Sequence, residues 1–296
     1  MQQVAEGVFV EQGLAPYNLS LILTRQGAIL VDVPPQPEKR QAWLEQTRAQ
    51  AGGPVRWLIL TDMAPERLLG ALACQLPLIA SEPVLRQLDA LAVDERTWNE
   101  FVHTHARRLH LGTEAIPKYP PKRIALAVHD KVALHWRSRP IQLESVTGGP
   151  YPGSLWLWLP DGRVLITGDS VVLGEPPVFV PDLDWEAWQA LLQAVQQRPA
   201  AHLIPGRGKA SAFPAEVSAL EEFLRILRLT AQKLAQRPTL TSGDVQRAVH
   251  DLRQSFFPHL EVRSEAAQRL RLLLDCQIAR YRQEICASED EAVPSA

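Results

Sequence analysis

Cysteine is scarce in this chain. Cys74, Cys276 and Cys286 are widely spaced and odd in number, which matches neither a disulfide framework nor a zinc-ligand pattern, and a reducing cytoplasm is the expected compartment. Long apolar runs are missing as well: nowhere do about 18 uncharged apolar residues follow one another. The N-terminus, Met1-Gln2-Gln3-Val4-Ala5-Glu6-Gly7, has no positive segment with an apolar core behind it, so neither export by such a signal nor membrane insertion is expected. Nor is there an excess of positive charge. Lys and Arg total 31 against 33 Asp and Glu, a formal net charge of −2, so no global basic field exists to neutralise phosphates, and nucleic acid is not an expected partner.

Several catalytic signatures are also absent. No Gly-x-Ser-x-Gly elbow occurs, and Cys74 lies in an apolar helical pattern with no neighbour that would activate a thiol. Gly206-Arg207-Gly208-Lys209 is too short for a phosphate-binding P-loop. His103, His105 and His110 invite a metal reading, but helical residues two apart point about 200° away from each other and cannot share an ion. A solvated basic face accounts for them better. His129, His135 and His202 fall in strands and fit ordinary core or edge positions.

What the chain does have is enough apolar residue, 46% of 296, to bury a substantial core. Val8 to Val10, Leu19 to Leu23 and Ala28 to Val31 read as strands, the last two separated by the turn signal Arg25-Gln26-Gly27. Pro37 to Ala51 is spaced as a helix, stopped by Gly52-Gly53-Pro54 before a strand from Val55 to Leu60. Helices at Pro65 to Cys74, Glu82 to Val93 and Arg96 to Leu111, with a strand at Leu78 to Ala80, continue the α/β alternation. Three or four strands follow between Ile124 and Trp158, then a buried strand at Val164 to Thr167, a helix from Trp185 to Gln197, and a last strand at Ala201 to Ile204. Beyond Phe213 the pattern is helical only, with Leu220, Phe223, Leu224, Leu227 and Leu234 forming one stripe. The expected organisation is a domain over 1–210, a helical extension over 211–286 and a disordered acidic tail over 287–296.

Five landmarks in order carry a family resemblance. Asn18 to Leu23 with Ala28 to Asp32 resembles an opening hairpin; Ile59-Leu60-Thr61 resembles the strand feeding a metal loop; Gly149-Pro150-Tyr151-Pro152-Gly153-Ser154 is similar to a Gly-His-Thr-Pro-Gly-Ser turn. Leu165 to Ser170 is similar to a strand ending in Gly-Asp, and Ile204 to Gly208 to a closing Pro-Gly-His-Gly. Together they resemble the metallo-β-lactamase superfamily, on a hydrolase scaffold like that of glyoxalase II. The resemblance implies an α/β four-layer αββα sandwich and, in that family, a cage of His and Asp holding two zinc ions that activate water.

In this sequence the cage positions carry other residues. The family's Thr-His-x-His-x-Asp-His stands here as Thr61-Asp62-Met63-Ala64-Pro65-Glu66-Arg67. Asp62 and Ala64 occupy the first two His positions, Glu66 the Asp, Arg67 the third His, Pro150 the fourth and Arg207 the fifth; Asp169, the bridging carboxylate, is retained. Ala64 and Pro150 offer no donor, and an arginine cannot lose its proton to ligate a metal. No cofactor is therefore expected.

Three readings of the vacated space remain open. The charges suggest a structural salt-bridge network of Asp62, Glu66 and Asp169 with Arg67 and Arg207. The same arginines with Lys209 would offer a basic pocket to a small anionic ligand. Asp62, Glu66 and Asp169 would hold one divalent cation through oxygen. The leading expectation is a pseudo-hydrolase acting by ligand or partner binding. The alternative is a divergent hydrolase of an ester, thioester or phosphoester, using the remaining carboxylates alone or with one metal ion. The C-terminal helices offer a homodimer seam as readily as an intramolecular bundle.

Overall fold

The short strand-forming runs between residues 2 and 212 resolve into two sheets. The computed structural model describes residues 1–25, 27–121, 123–136, 139–178, 183–212, 215–262 and 264–291. The expected turn at Arg25-Gln26-Gly27 includes Gln26, which lies outside the described residues. The first sheet contains, in spatial and chain order, β1 (Gln2–Ala5), β2 (Val8–Glu11), β3 (Leu19–Thr24), β4 (Gly27–Val31), β5 (Val55–Ile59), β6 (Leu78–Ser81) and β7 (Leu126–Val128). Its first four strands are antiparallel and the rest parallel. Parallel neighbours need crossovers, supplied by α1 (Pro37–Ala51), α2 (Pro65–Ala73), and α3 (Glu82–Leu91) with α4 (Glu95–Arg108).

The second sheet runs β13-β12-β11-β10-β9-β8, from β8 (Lys131–Trp136), β9 (Arg139–Val146), β10 (Ser154–Leu159), β11 (Val164–Ile166), β12 (His202–Ile204) and β13 (Ser211–Ala212). The strand at β12 is thus not the last, because Ser211–Ala212 pairs antiparallel with it. Helix α5 (Trp185–Gln196) is the crossover between the parallel pair β11 and β12. Side-chain parity sorts the core into layers. Ile29 and Val31 of β4 face the second sheet, meeting Leu155, Leu157 and Ile166, while Ala28 and Leu30 face Trp43, Leu68, Leu88 and Trp98 of the helices. Strand β4 is buried on both faces, which explains its unbroken apolar sequence. Trp156 on the outer face of β10 donates to Ser170 Oγ at 2.7 Å, and Trp188 of α5 donates to Ser170 O at 2.9 Å. The order of layers is α1–α4, first sheet, second sheet, α5.

Parallel register fixes where the strand ends emerge. Val31 pairs with Ile59, so Asp32 and Thr61-Asp62 leave β4 and β5 side by side. Ile166 pairs with Ile204, so Gly168-Asp169 and Gly206-Arg207 do the same from β11 and β12. Carboxyl ends of parallel strands are where α/β folds build sites.

Helix α2 is held close to the backbone that follows β4. A Cβ at Gly70 would lie 2.3 Å from Val33 O and 3.0 Å from Pro34 C. Alanine is the better helix former by about 1 kcal/mol, yet this contact is with backbone and cannot rotate away. Gly70→Ala is therefore expected to lower the thermal midpoint by several degrees, equivalent to about 1–3 kcal/mol of overpacking. A midpoint that stays or rises in a thermal melt would show that α2 does not sit this close.

The chain forms two compact units, Met1–Val171 with Asp184–Phe213, and Val172–Leu183 with Pro214–Ala296. The second contains α6 (Ala215–Ala235), α7 (Ser242–Phe256) and α8 (Glu265–Glu291). Phe223 of α6 packs edge-on against Phe256 and Phe257, with centroids at 5.4 and 4.9 Å, and Thr241 with Asp244 forms a capping box at the start of α7. The segment Val172–Leu183 falls inside the 1–210 range expected for the first domain but groups with the helices: His259 bonds Gly174 O at 2.8 Å and Arg269 pairs with Glu175. The tail expected to be disordered from Ala287 is helical as far as Glu291, and 292–296 lies outside the described residues. Among the described residues no helix is long and apolar enough to cross a membrane.

Candidate functional site

Three of these four strand ends deliver an acidic group to the same spot, and the fourth delivers Arg207. Asp32, in the left-handed region at φ 58°, follows β4 and accepts from Thr61 N at 3.0 Å and Thr61 Oγ1 at 2.7 Å. Asp62 folds back so that Oδ1 accepts from Ala64 N at 2.9 Å, while Oδ2 accepts from Asp169 N at 3.2 Å. This turn starts α2 at Pro65, whose fixed φ suits a first helical position. Asp169 sits in the short 3-10 turn Gly168–Ser170. Two glycines permit the approach: a Cβ on Gly206 would lie 2.3 Å from Asp169 Oδ1, and one on Gly168 2.8 Å from Thr61 Cβ.

At the centre lies Arg67. Its side chain is fully buried, with Nη1 donating to Asp62 Oδ2 at 2.8 Å and Nη2 to Asp169 Oδ1 at 2.8 Å and Gly206 O at 3.1 Å. Nε lies 3.0 Å from Asp32 Oδ2 but off the hydrogen-bond direction, so that contact is electrostatic. Tyr17 lies under the guanidinium, 4.6 Å from Cζ to the ring centroid, and donates its own hydroxyl to Val33 O at 2.9 Å. Arg207, 3% exposed, donates from Nε to Asp169 Oδ2 at 3.0 Å, from Nη1 to Pro16 O at 3.1 Å and from Nη2 to Glu66. Arg67 stands in the first turn of α2, where the helix dipole disfavours a cation. The three carboxylates offset that.

The charges do not cancel. Asp32, Asp62, Glu66 and Asp169 face Arg67 and Arg207, and the three aspartates are shifted differently. Burial pushes Asp32 up to about 7 against the partial relief of Arg67. Burial raises Asp62 as well. Burial would also raise Asp169, but Arg207 and Arg67 hold it down to about 2. Burial works against the charge of Arg67, and Asp169, Asp62 and Asp32 overcome it, raising its pKa further. Tyr151 beside the cluster is raised by burial and then by Glu66, Asp169 and Asp62.

The structure brings Asp62, Glu66, Arg67, Asp169 and Arg207 into this network, with Ala64 and Pro150 buried. Lys209 is exposed. Arg67 and Arg207 spend their donors on carboxylates and carbonyls rather than presenting them to solvent. Asp32 and Tyr17 are members that inspection of the motifs misses. An acid closing an entirely apolar strand was the available signal for Asp32; Tyr17 had none. His103 and His110 are exposed, and His105 packs tilted against Phe101 with centroids at 4.6 Å.

Comparison with known proteins supplies the fold. Residues 92–207 match the profile of the metallo-beta-lactamase superfamily. A metallo-beta-lactamase family protein from Thermus thermophilus superposes with a TM-score of 0.64 at 15% identity, covering 95% of each chain. A beta-lactamase domain protein from Burkholderia ambifaria gives 0.63 at 17% identity, over 96% of this chain and 88% of that one. The chain has the metallo-β-lactamase fold. A stereoselective inverting sec-alkylsulfatase from a Pseudomonas species also superposes, at 0.63 and 13% identity, over 94% of this chain and 49% of that one. No curated protein matches the sequence.

The zinc pair implied by the metallo-β-lactamase fold does not fit the residues present. Of the positions expected from the sequence to correspond to the family's ligands, Ala64 and Pro150 have no donor, and Arg67 and Arg207 bring positive charge that would repel a dication. Arg67 places its guanidinium between the carboxylates that would have to converge. Glu66 pairs with Arg207 and Asp62 with Arg67, so each member of the oxygen set Asp62, Glu66, Asp169 is engaged by a guanidinium group. Among the described residues no group of three or more His, Cys, Asp or Glu is placed to hold a metal ion.

Proposed function

We propose that this protein is a pseudo-hydrolase, a metallo-β-lactamase-fold chain that uses its scaffold for ligand or partner binding and does not carry out dinuclear-zinc hydrolysis. The observation that carries this reading is the fully buried Arg67 guanidinium held by Asp32, Asp62 and Asp169. Water activation by a metal needs neutral or anionic donors around an open position. Here the position is filled by a cation that cannot leave the chain.

The divergent-hydrolase alternative needs a carboxylate that reaches solvent. Asp62 and Asp169 have fully buried side chains, whereas Glu66 retains 16% exposure. Glu66 is thus the acid on which that alternative depends. Protein purified without chelator or metal-scavenging tag is expected to hold far less than one metal per chain by elemental analysis and to show no turnover on ester, thioester, phosphodiester and β-lactam substrates. Stoichiometric zinc, lost in Asp169→Ala, would sink the pseudo-hydrolase reading; metal-free turnover abolished by Glu66→Gln would favour the alternative.

A further inference from the structure

The groups that reject zinc are arranged around one particular ion. Asp62 Oδ2 accepts from Nη1 of Arg67 at 2.8 Å and Asp169 Oδ1 from Nη2 at 2.8 Å, while Asp32 Oδ2 lies 3.0 Å from Nε as an ion pair without a hydrogen bond, so each nitrogen has its own acid. The acids come from the ends of β4, β5 and β11, elements far apart in sequence. Gly206 O takes a further N–H at 3.1 Å, and Tyr17 covers the face at 4.6 Å. Arg67, Asp62 and Asp169 are 0% exposed, and Asp32 and Tyr17 2%.

We propose that Asp32, Asp62, Asp169, Tyr17 and the Gly206 carbonyl form a guanidinium-ion site whose occupant is tethered as the side chain of Arg67, and that this ion clasps the strand ends of both sheets. Carboxylates set against separate nitrogens of a planar ion, with an aromatic under its face, select guanidinium over a compact ammonium, which has three donors in a cone and is strongly hydrated. A mere charge-neutralising role would make no such distinction. The proposal rests on the pseudo-hydrolase reading in that the centre holds this ion and not a metal.

Such a site is expected to bind the free ion once the tether is cut. In Arg67→Ala, about 20 mM guanidinium chloride is expected to raise the thermal midpoint by about 3 °C if the free ion binds in the low millimolar range. Equal concentrations of urea, the neutral isostere, and of ammonium chloride, which matches charge and ionic strength, are expected to give less than half of that shift. Wild-type protein, its site filled, is expected to gain nothing from guanidinium. A shift no larger than that with urea or ammonium, or the same shift in wild type, would overturn the proposal.

Should Arg67→Ala fail to fold, Arg67→Met with and without Asp62→Asn gives the second measurement. Removing one acid is expected to recover soluble yield and thermal midpoint; no recovery would overturn the proposal. Elemental analysis of wild type keeps the two ideas apart: zinc there sinks the pseudo-hydrolase reading, whereas failed rescue in zinc-free protein sinks the ion site alone.

Discussion

Arg67→Met should destabilise the sandwich unit by about 3–5 kcal/mol, because it leaves buried carboxylates without their counter-ion. Methionine keeps much of the volume, so the loss reports charge more than cavity. The expected size follows from burial. Arg67, Asp62 and Asp169 are fully buried, so their attraction is little screened and no water replaces it. Arg96 with Glu100 on α4 is the contrast, an i,i+4 pair with side chains 87% and 66% exposed. Arg96→Ala is expected to leave stability unchanged, as exposed pairs commonly do. Urea unfolding followed by tryptophan fluorescence suits the comparison, because all eight tryptophans fall within the first unit. Equal effects of the two substitutions would mean that the Arg67 network is open to water.

Stability should peak in mild acid rather than at neutrality. Asp169 has a folded pKa of about 2 against an ordinary 3.8. The stability it contributes is present above pH 3.8 and is lost as pH falls toward 2. Asp32 acts in the opposite sense, with a folded pKa of about 7 against 3.8. Between those values the native state keeps a proton that the unfolded chain has released, so stability falls as pH rises through that window. Asp62 is shifted in the same direction as Asp32. The two trends cross near pH 4–5, and on the order of 2–4 kcal/mol should be lost from there to pH 7.5. Asp32→Asn should flatten the slope between pH 4 and 7, which assigns the slope to this acid. A wild-type profile that is flat or rising across that window would count against a protonated acid in the centre.

Much of this centre was legible because strand-end motifs are local. Thr61 to Arg67 follows an apolar strand, and Leu165 to Asp169 and Ile204 to Arg207 follow two more, so reading the ends of strands was enough to collect both arginines and three of their acids. Asp32 escaped because one carboxylate after β4 forms no pattern of its own; what makes it a member is the pairing of Val31 with Ile59, a contact 28 residues apart. Tyr17 contributes a ring face, a property no spacing encodes. The fold was read through its amphipathic and apolar periodicities, as with Trp43 in α1 and the stripe on α6. Strands β1 and β13 were missed because Gln2–Ala5 is short and partly polar and Ser211–Ala212 has two residues. Neither carries a periodic signal, and each exists because a neighbouring strand offers it an edge.

The detour of Val172–Leu183 into the helical unit determines how the gene can be cut. The chain leaves the first unit after Val171, re-enters at Asp184 and leaves again after Phe213, so neither unit is a single continuous stretch. Terminating the protein after residue 213 would retain Gly174 and Glu175 while discarding His259 and Arg269, their partners. The buried Val172 and Leu173 would lose the Leu220, Phe223 and Phe257 side chains that line the same cavity. The helices are therefore not an appendage that a stop codon removes cleanly, and insertion into or excision of this unit has to respect three crossings of the chain.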